Sequence, residues 1–419
     1  MHPFLKKLLD GENVEWKPLG EIGEIIRGNG LQKKDFTETG FPAIHYGQIY
    51  TFYGLSTETT KSFVSEESAQ KLRKVNYGDV VITNTSENLK DVGKALVYLG
   101  EKQAVTGGHA SIFKPSSEII GKYFAYYTQT ANFFDEKRKY AKGTKVIDIS
   151  ASDLAKIIIP IPAPNNPEKS LAIQNEIVGI LDRFSALTAE LTAKLGEELI
   201  LRKKQYQYYR DKLLDFKNAA DFPFLQKLLN GAKVEYKPLG EIAILKRGKV
   251  ISKVYLEDNK GEYPVYSSQT SNDGIIGKIG TFDFDGEFIT WTTDGANAGT
   301  VFYRNGKFSI TNVCGLIEIK KQINLTHKFL FYWLSIKAKS HVYAGMGNPK
   351  LMSNQMKEIP IPIPPIETQN QIVDILDKFD ALTNSLTEGL PKEIELRKKQ
   401  YAYYRDLLLN FPKEESSGK

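Results

Sequence analysis

From position 173 the apolar residues fall at Ile173, Ile177, Ile180, Phe184, Leu187 and Leu191. A spacing of four, three, four, three, four lays one stripe along a helix and reads as a coiled-coil seam. A second stripe recurs at Ile372, Ile375, Phe379, Leu382 and Leu386. Pro167 and Glu168 mark the start of the first helix; Pro365, Glu367 and Thr368 mark the second. If 171–216 is helical throughout, it spans about 69 Å at ~1.5 Å per residue. Gly389 and Pro391 predict a break in the second helix, where the first carries Gly196. After Leu187 come "TAEL", "TAKL" and "GEEL". Four is not a heptad spacing, so the stripe drifts there. Ordinary helix explains these units; so does a length adjuster, in which removing one unit shortens the helix by about 6 Å and turns its C-terminal part by roughly 40°.

Away from these stripes the pattern changes to short strands. "YGDVVITNTS" and "GKALVYLG" are strand signals bounded by glycine and asparagine. The stretch 274–320 holds several more, with tight turns. The aromatic-rich segments 123–145 and 327–345 read as helices running into basic, glycine-containing loops. Lysine and arginine cluster beside those loops: Lys137, Arg138, Lys139, Lys142 and Lys145 in one, Lys337, Lys339 and Lys350 in the other. Cations beside exposed glycine amides suit phosphate contact; a solvated basic face is the competing explanation.

The chain is written twice. "FLKKLLDGENVEWKPLGEI" (4–22) returns as "FLQKLLNGAKVEYKPLGEI" (224–242), and "IVGILDRFSALT" (177–188) as "IVDILDKFDALT" (372–383). "IPIP" precedes each long helix, and "LRKKQYQYYRDKLLDF" (201–216) returns as "LRKKQYAYYRDLLLNF" (396–411), identical at 13 of 16 positions. Between these constant parts lie unlike regions, roughly 23–158 and 243–358. Two units of this length are too long for a solenoid. A pseudo-two-fold packing, with the long helices antiparallel, suits a surface that meets its own copy. The expected class is α+β: two mixed α/β domains separated by two long antiparallel helices. The expected boundaries are 1–163 and 218–363 for the globular domains, 164–217 and 364–411 for the helices, and 412–419 for a tail.

Composition narrows the chemistry. The 419 residues carry 56 basic and 50 acidic side chains, a net charge of +6, which permits nucleic-acid binding without requiring it. The lone Cys314 excludes an internal disulfide framework, and five scattered histidines give no zinc spacing. No apolar run reaches the length of a membrane span, and the N-terminus lacks a secretory pattern, so a cytoplasmic setting and no membrane partner are expected. There is no P-loop, no GxSxG and no HExxH. The glycines of "GIIGKIG" precede strand-like residues rather than a helix. Glu318 and Lys320, with Asp283 and Asp285 upstream, match a nuclease ExK pattern but also an alternating surface strand.

The duplicated "VEWKPLGEI", "LRKKQYQYYRD" and "IPIPPIETQNQIVDILDKFDALT" closely resemble the specificity subunit of type I restriction–modification enzymes, most like the type IC group. The resemblance implies a non-catalytic reader of double-stranded DNA. Each unlike domain would be a target recognition domain for one half of a bipartite, asymmetric site. The helices would set the unread spacer and dock two modification subunits, with restriction subunits joining them. No cofactor is expected in this chain; S-adenosylmethionine, ATP and Mg²⁺ would belong to the partners. Candidate DNA contacts are Gln48, Asn84, Ser86, Asn88, His109, Lys137, Arg138, Lys142 and Lys145 in the first domain. In the second they are Gln269, Ser271, Asn272, Thr293, Asn297, Lys337, Lys339 and Lys350. Candidate subunit contacts are Arg202, Lys203, Tyr206, Tyr209 and Arg210, with Arg397, Lys398, Tyr401, Tyr404 and Arg405. The rival classes are a self-contained nuclease or methyltransferase, and a coiled-coil adaptor that does not bind DNA.

Overall fold

The computed structural model describes residues 2–343, 347–385 and 388–412. The chain divides into two compact units: residues 1–194 with 394–419, and residues 195–393. Each is a mixed α/β domain completed by stretches of long helix.

The first unit opens with the helix Pro3–Leu9, started by a proline and closed by Asp10 in the left-handed region (φ 47°). Strand Val14–Pro18 then pairs antiparallel with Ile158–Pro162, so the "KPLGEI" entry lies against the proline-rich exit. Between them is a five-stranded sheet in the order Gly23–Arg27, Ala110–Pro115, Val80–Thr83, Ala95–Tyr98, Ser56–Thr57. Every residue of Val80–Thr83 and Ala95–Tyr98 is buried, because both faces are covered. Val80, Ile82, Val97 and Phe113 meet Tyr123, Phe124 and Phe133 on one face. Val81, Leu96, Tyr98 and Ile112 pack on the other. The segment 123–145 is not one helix. It forms Gly121–Tyr127 and Ala131–Arg138, parted because the Thr130 hydroxyl accepts from the Phe133 amide and starts a new helix.

The second unit repeats the frame with a different filling. The helix Pro223–Leu229 leads to Glu235–Pro238, which pairs with Pro360–Ile363. The enclosed sheet has six strands, in the order Ala243–Arg247, Cys314–Ile319, Phe284–Thr292, Val301–Ile310, Lys260–Tyr266, Ile275–Ile279. The expected helix 327–345 ends sooner, at His327–Lys337, followed by a 3₁₀ turn over Ala338–His341; 344–346 lie outside the described residues.

The first long helix is continuous over Pro167–Leu213, with no break at Gly196. The second is Ile366–Asn384 and then Gly389–Leu408, interrupted where glycine and proline predict it. Gly389 has φ +80°, and a Cβ there would meet the Ala381 carbonyl at 2.4 Å.

The apolar stripe does more than a seam. Ser170, Ile173, Gln174, Ile177, Val178 and Leu181 are buried, a wide stripe facing the domain core. Beyond it Phe184 and Leu187 are 37% and 59% exposed. Leu386, the last expected seam residue of the second copy, lies outside the described residues.

The same clasp holds helix to domain in each unit. Fully buried Gln174 accepts from the Ile120 amide at 2.9 Å and donates to the Glu118 carbonyl at 2.8 Å. Fully buried Gln369 accepts from the Thr326 amide at 2.9 Å and donates to the Asn324 carbonyl at 2.9 Å. Two turns further, Asp182 accepts from Lys122 (2.8 Å) and the Tyr126 hydroxyl (2.7 Å). Asp377 accepts from Lys328 and from the Tyr332 hydroxyl (2.6 Å). Burial and the neighbouring carboxylate push both tyrosines far above the ordinary phenol range. The ring pair Phe184–Tyr404 (5.7 Å) in the first unit matches Phe379–Tyr209 (5.7 Å) in the second.

Candidate nucleic-acid interface

In the first unit three loops are tied edge to edge by backbone hydrogen bonds. The Asn84 amide donates to the His109 carbonyl (2.8 Å), and the Ile149 amide to the Asn84 carbonyl (2.9 Å). Thr85–Ser86 then pairs with Ile147–Asp148. Lys142 and Asp148 exchange both backbone bonds, closing a short turn with Gly143 at φ +110°. Its tip presents exposed Lys145 and Val146, and exposed Lys142 stands at its base. Tyr50 donates to the Thr85 carbonyl at 2.8 Å, bringing the helix Tyr46–Thr51 alongside. The His109 ring lies 3.2 Å from the Thr85 hydroxyl and 4.8 Å from the Tyr46 ring. Burial, and then the nearby His109, lower the pKa of His45.

The second unit rebuilds this frame from other residues. The Thr293 amide donates to the Val313 carbonyl (3.2 Å), and the Leu351 amide to the Thr293 carbonyl (2.9 Å). Asp294 bridges to Lys350, and Tyr343 and Lys350 exchange backbone bonds at 2.8 and 3.0 Å. A further turn is added by strands Lys260–Tyr266 and Ile275–Ile279. Asn272, Asp273 and Gly274 all have positive φ in it. Arg304, 3% exposed, holds that turn: it lies against the Tyr266 and Phe302 rings, pairs with Asp273, and donates to the Asp273 carbonyl at 2.8 Å. Asn297 donates to the Thr270 hydroxyl at 3.2 Å, joining the two loops.

Ser86, Asn88, His109, Lys142 and Lys145 thus come together in the first unit, and Ser271, Asn272, Asn297 and Lys350 in the second. Asn88 is held by Asp91 (2.8 Å), and the Gln269 amide by the Ile275 carbonyl (2.6 Å). Gln48 instead donates to the Ser62 hydroxyl at 2.6 Å, in strand Ser62–Val64 of a separate five-stranded sheet of the first unit. Asn84 and Thr293, expected as exposed loop readers, are both fully buried at the strand ends where the loops are anchored. Thr293 donates to the Val313 carbonyl at 2.8 Å. The Asn84 side chain has no protein partner.

Lys137, expected on an exposed basic loop, is 4% exposed and donates to the Lys90 carbonyl at 2.9 Å and the Val92 carbonyl. Burial pulls its pKa down to about 8. Arg138 stays exposed. Lys337 and Lys339 line a cleft of about 900 Å³ with Arg210, Lys217 and His341, walled by Tyr236 and Trp333.

On the helices, Tyr209 and Tyr404 stack within their own units, and burial raises Tyr401 and pushes Tyr206 up to about 12. Arg202 bonds Glu198 (2.7 Å), Arg210 bonds Asp211, Arg405 bonds Asp406, and Arg397 bonds Gln400 (3.2 Å). Lys203 and Lys398 face solvent, as do Tyr208 and Tyr403, which are not among the candidates drawn from the sequence. The signal was available: adjacent tyrosines on a helix point about 100° apart, so only one of each pair can pack inward. Elsewhere Glu318 pairs with Lys246 and Asp283 with Lys249, the arrangement of surface strands. Among the described residues no group of acidic, histidine or cysteine side chains could hold a metal, and no helix is long and apolar enough to cross a membrane.

Two polar, cation-bearing loop surfaces on equivalent backbone frames, filled with unlike residues, define a double-headed recognition scaffold. The chain belongs to the type I restriction modification DNA specificity domain family, whose profile matches residues 11–200 and 232–396. It is 34% identical over 438 aligned positions to the type I restriction enzyme EcoR124I/EcoR124II specificity subunit of Escherichia coli, covering 99% of this chain and 98% of that one. It is 44% identical over 219 residues to the MpnII specificity subunit of Mycoplasma pneumoniae, covering 52% of this chain and 64% of the other. A structure solved in work on complex assembly and conformational transition of the type I R-M system superposes with a TM-score of 0.59. It covers 95% of this chain and 97% of that chain at 16% identity, a likeness of fold.

Proposed function

We propose that this chain is the sequence-reading subunit of a type I restriction–modification complex, most like the type IC group, and that it makes and breaks no covalent bond itself. Domains 1–163 and 218–363 each read one half of a bipartite site in double-stranded DNA. The helices 164–217 and 364–411 set the unread spacer and dock two modification subunits, to which restriction subunits are added. S-adenosylmethionine, ATP and Mg²⁺ act in those partners, in the cytoplasm.

The observation that carries this reading is the shared frame with changed contents. Asn84 and Thr293 anchor the same three-loop junction, while the side chains displayed around it differ. Base edges in the major groove carry sequence information and phosphates carry position. Unlike polar loops on like frames are what two different half-sites require. Ser86, Asn88, His109, Lys142, Lys145 and Arg138 serve the first half-site. Gln269, Ser271, Asn272, Asn297 and Lys350 serve the second, with Lys337 and Lys339 on the backbone. Lys203, Lys398, Tyr208 and Tyr403 are the helix side chains available to the modification subunits.

Methylome sequencing of cells expressing this chain with its modification partner tests the reading. A methylated adenine within a split sequence is expected, and replacing 23–158 with another recognition domain changes one half of it. Change in both halves, or methylation by the purified chain alone, overturns it.

A further inference from the structure

The aligned repeat runs further than the "KPLGEI" entry. Five residues on, the first copy reads Arg27-Gly28 and the second Arg247-Gly248, inside regions that otherwise differ. Both arginines are exposed and end the first strand of their sheets, Gly23–Arg27 and Ala243–Arg247. Each is tied through its Nε to a backbone carbonyl, and Arg247 in addition donates through Nη2 to the same carbonyl and has Nη1 3.9 Å from the Met352 sulfur. The Arg27 Nε donates to the Gly108 carbonyl at 3.0 Å, and the Arg247 Nε to the Asn312 carbonyl at 2.9 Å. Those carbonyls stand next to His109 and Val313, the acceptors for Asn84 and Thr293 in the loop frames. The glycines are required by close approach: a Cβ on Gly28 would lie 2.3 Å from the Gly107 carbonyl, and one on Gly248 1.9 Å from the Ile310 carbonyl.

We infer that Arg27 and Arg247 are a matched pair of phosphate contacts, one per domain, that fix each reading surface in register on the DNA backbone without reading bases. This rests on the DNA-reading function proposed above. Tethering one guanidinium edge to a backbone carbonyl removes rotamer freedom from a residue left at the surface, so little is lost when an anion binds. The remaining donors suit a phosphate oxygen. Two domains that read different sequences need share no base contact, but both meet the same backbone, which accounts for identical residues where the surroundings diverge. Asp148 lies 3.9 Å from the Arg27 guanidinium.

The test uses the full chain assembled with its modification subunits, on a duplex carrying its methylated sequence and on one with that sequence scrambled. Arg27→Gln and Arg247→Gln are each expected to weaken both duplexes equally. Each should reduce the slope of log affinity against log salt by about one. Arg27→Lys restores the slope, and the methylated sequence keeps its identity throughout. An unchanged slope together with a lowered unfolding temperature overturns the assignment, since the arginine then only braces its turn. Relaxed recognition at one base pair overturns it as well, by making the residue a reader. A wild-type complex that binds neither duplex at low salt overturns the DNA reading itself.

Discussion

Asp153 lies between two lysines, accepting from Lys156 at 2.8 Å and Lys142 at 3.1 Å. These bonds, and one to Ser150, hold its carboxyl down at about 2 against an ordinary 3.8. A depressed carboxylate contributes stability that is complete above the ordinary value and is lost as pH falls through the folded one. Asp153→Asn is therefore expected to lower the unfolding temperature by a few degrees at pH 7, and the gap from wild type to close between pH ~4 and ~2. A gap that persists at pH 2 contradicts the ionic origin. Lys142 is one of the cations at the candidate interface, so the same carboxylate steadies the turn that presents it.

At the scale of the element, Gln174 and Gln369 join helix to domain. Each glutamine oxygen accepts an amide at the entry of a domain helix, Gly121–Tyr127 or His327–Lys337. Each amide nitrogen donates to a loop carbonyl just upstream. Gln369→Leu removes the partner of the half-buried Thr326 amide and of the Asn324 carbonyl, at a cost of roughly 1 kcal/mol per bond. Chemical denaturation is expected to show the loss, and hydrogen exchange to show faster opening at Thr326. Gln174→Leu should act in the same way on Ile120. Unchanged protection at both amides would mean that apolar packing alone holds the helices. The apolar stripe was legible as a helix because its spacing is local. Its use was not, since a stripe that faces a domain and one that faces a partner helix begin alike.

For the whole molecule, the first long helix passes from one compact unit into the other, and the boundary between them falls within "TAKL", residues 192–195. None of the residues from Thr188 to Leu201 is buried. Four residues can therefore be removed there without emptying a core. If the helices set the spacer, deleting 192–195 shortens the unread part of the methylated sequence by one or two base pairs, at ~3.4 Å per base pair. Methylome sequencing of the deletion reads this directly. An unchanged spacer would move the ruler elsewhere in the complex.

The sequence alone determined the duplication, the helical stripes, the interruption near Gly389 and the family. Each is carried by local spacing or by direct repetition, and both survive without knowledge of long-range contacts. Only the tertiary structure decided which polar residues face outward. Asn84, Thr293 and Lys137 look like surface residues in one dimension. They are buried because segments distant in sequence close over them: Asn84 is bonded to His109 and Ile149, Thr293 to Val313 and Leu351, and Lys137 to the carbonyls of Lys90 and Val92. Arg27 and Arg247 reverse the case. They sat in plain view in the sequence, but only the matching carbonyls at Gly108 and Asn312 show that the two are held alike. Burial is a property of pairings across the chain, and periodicity reports only on neighbours.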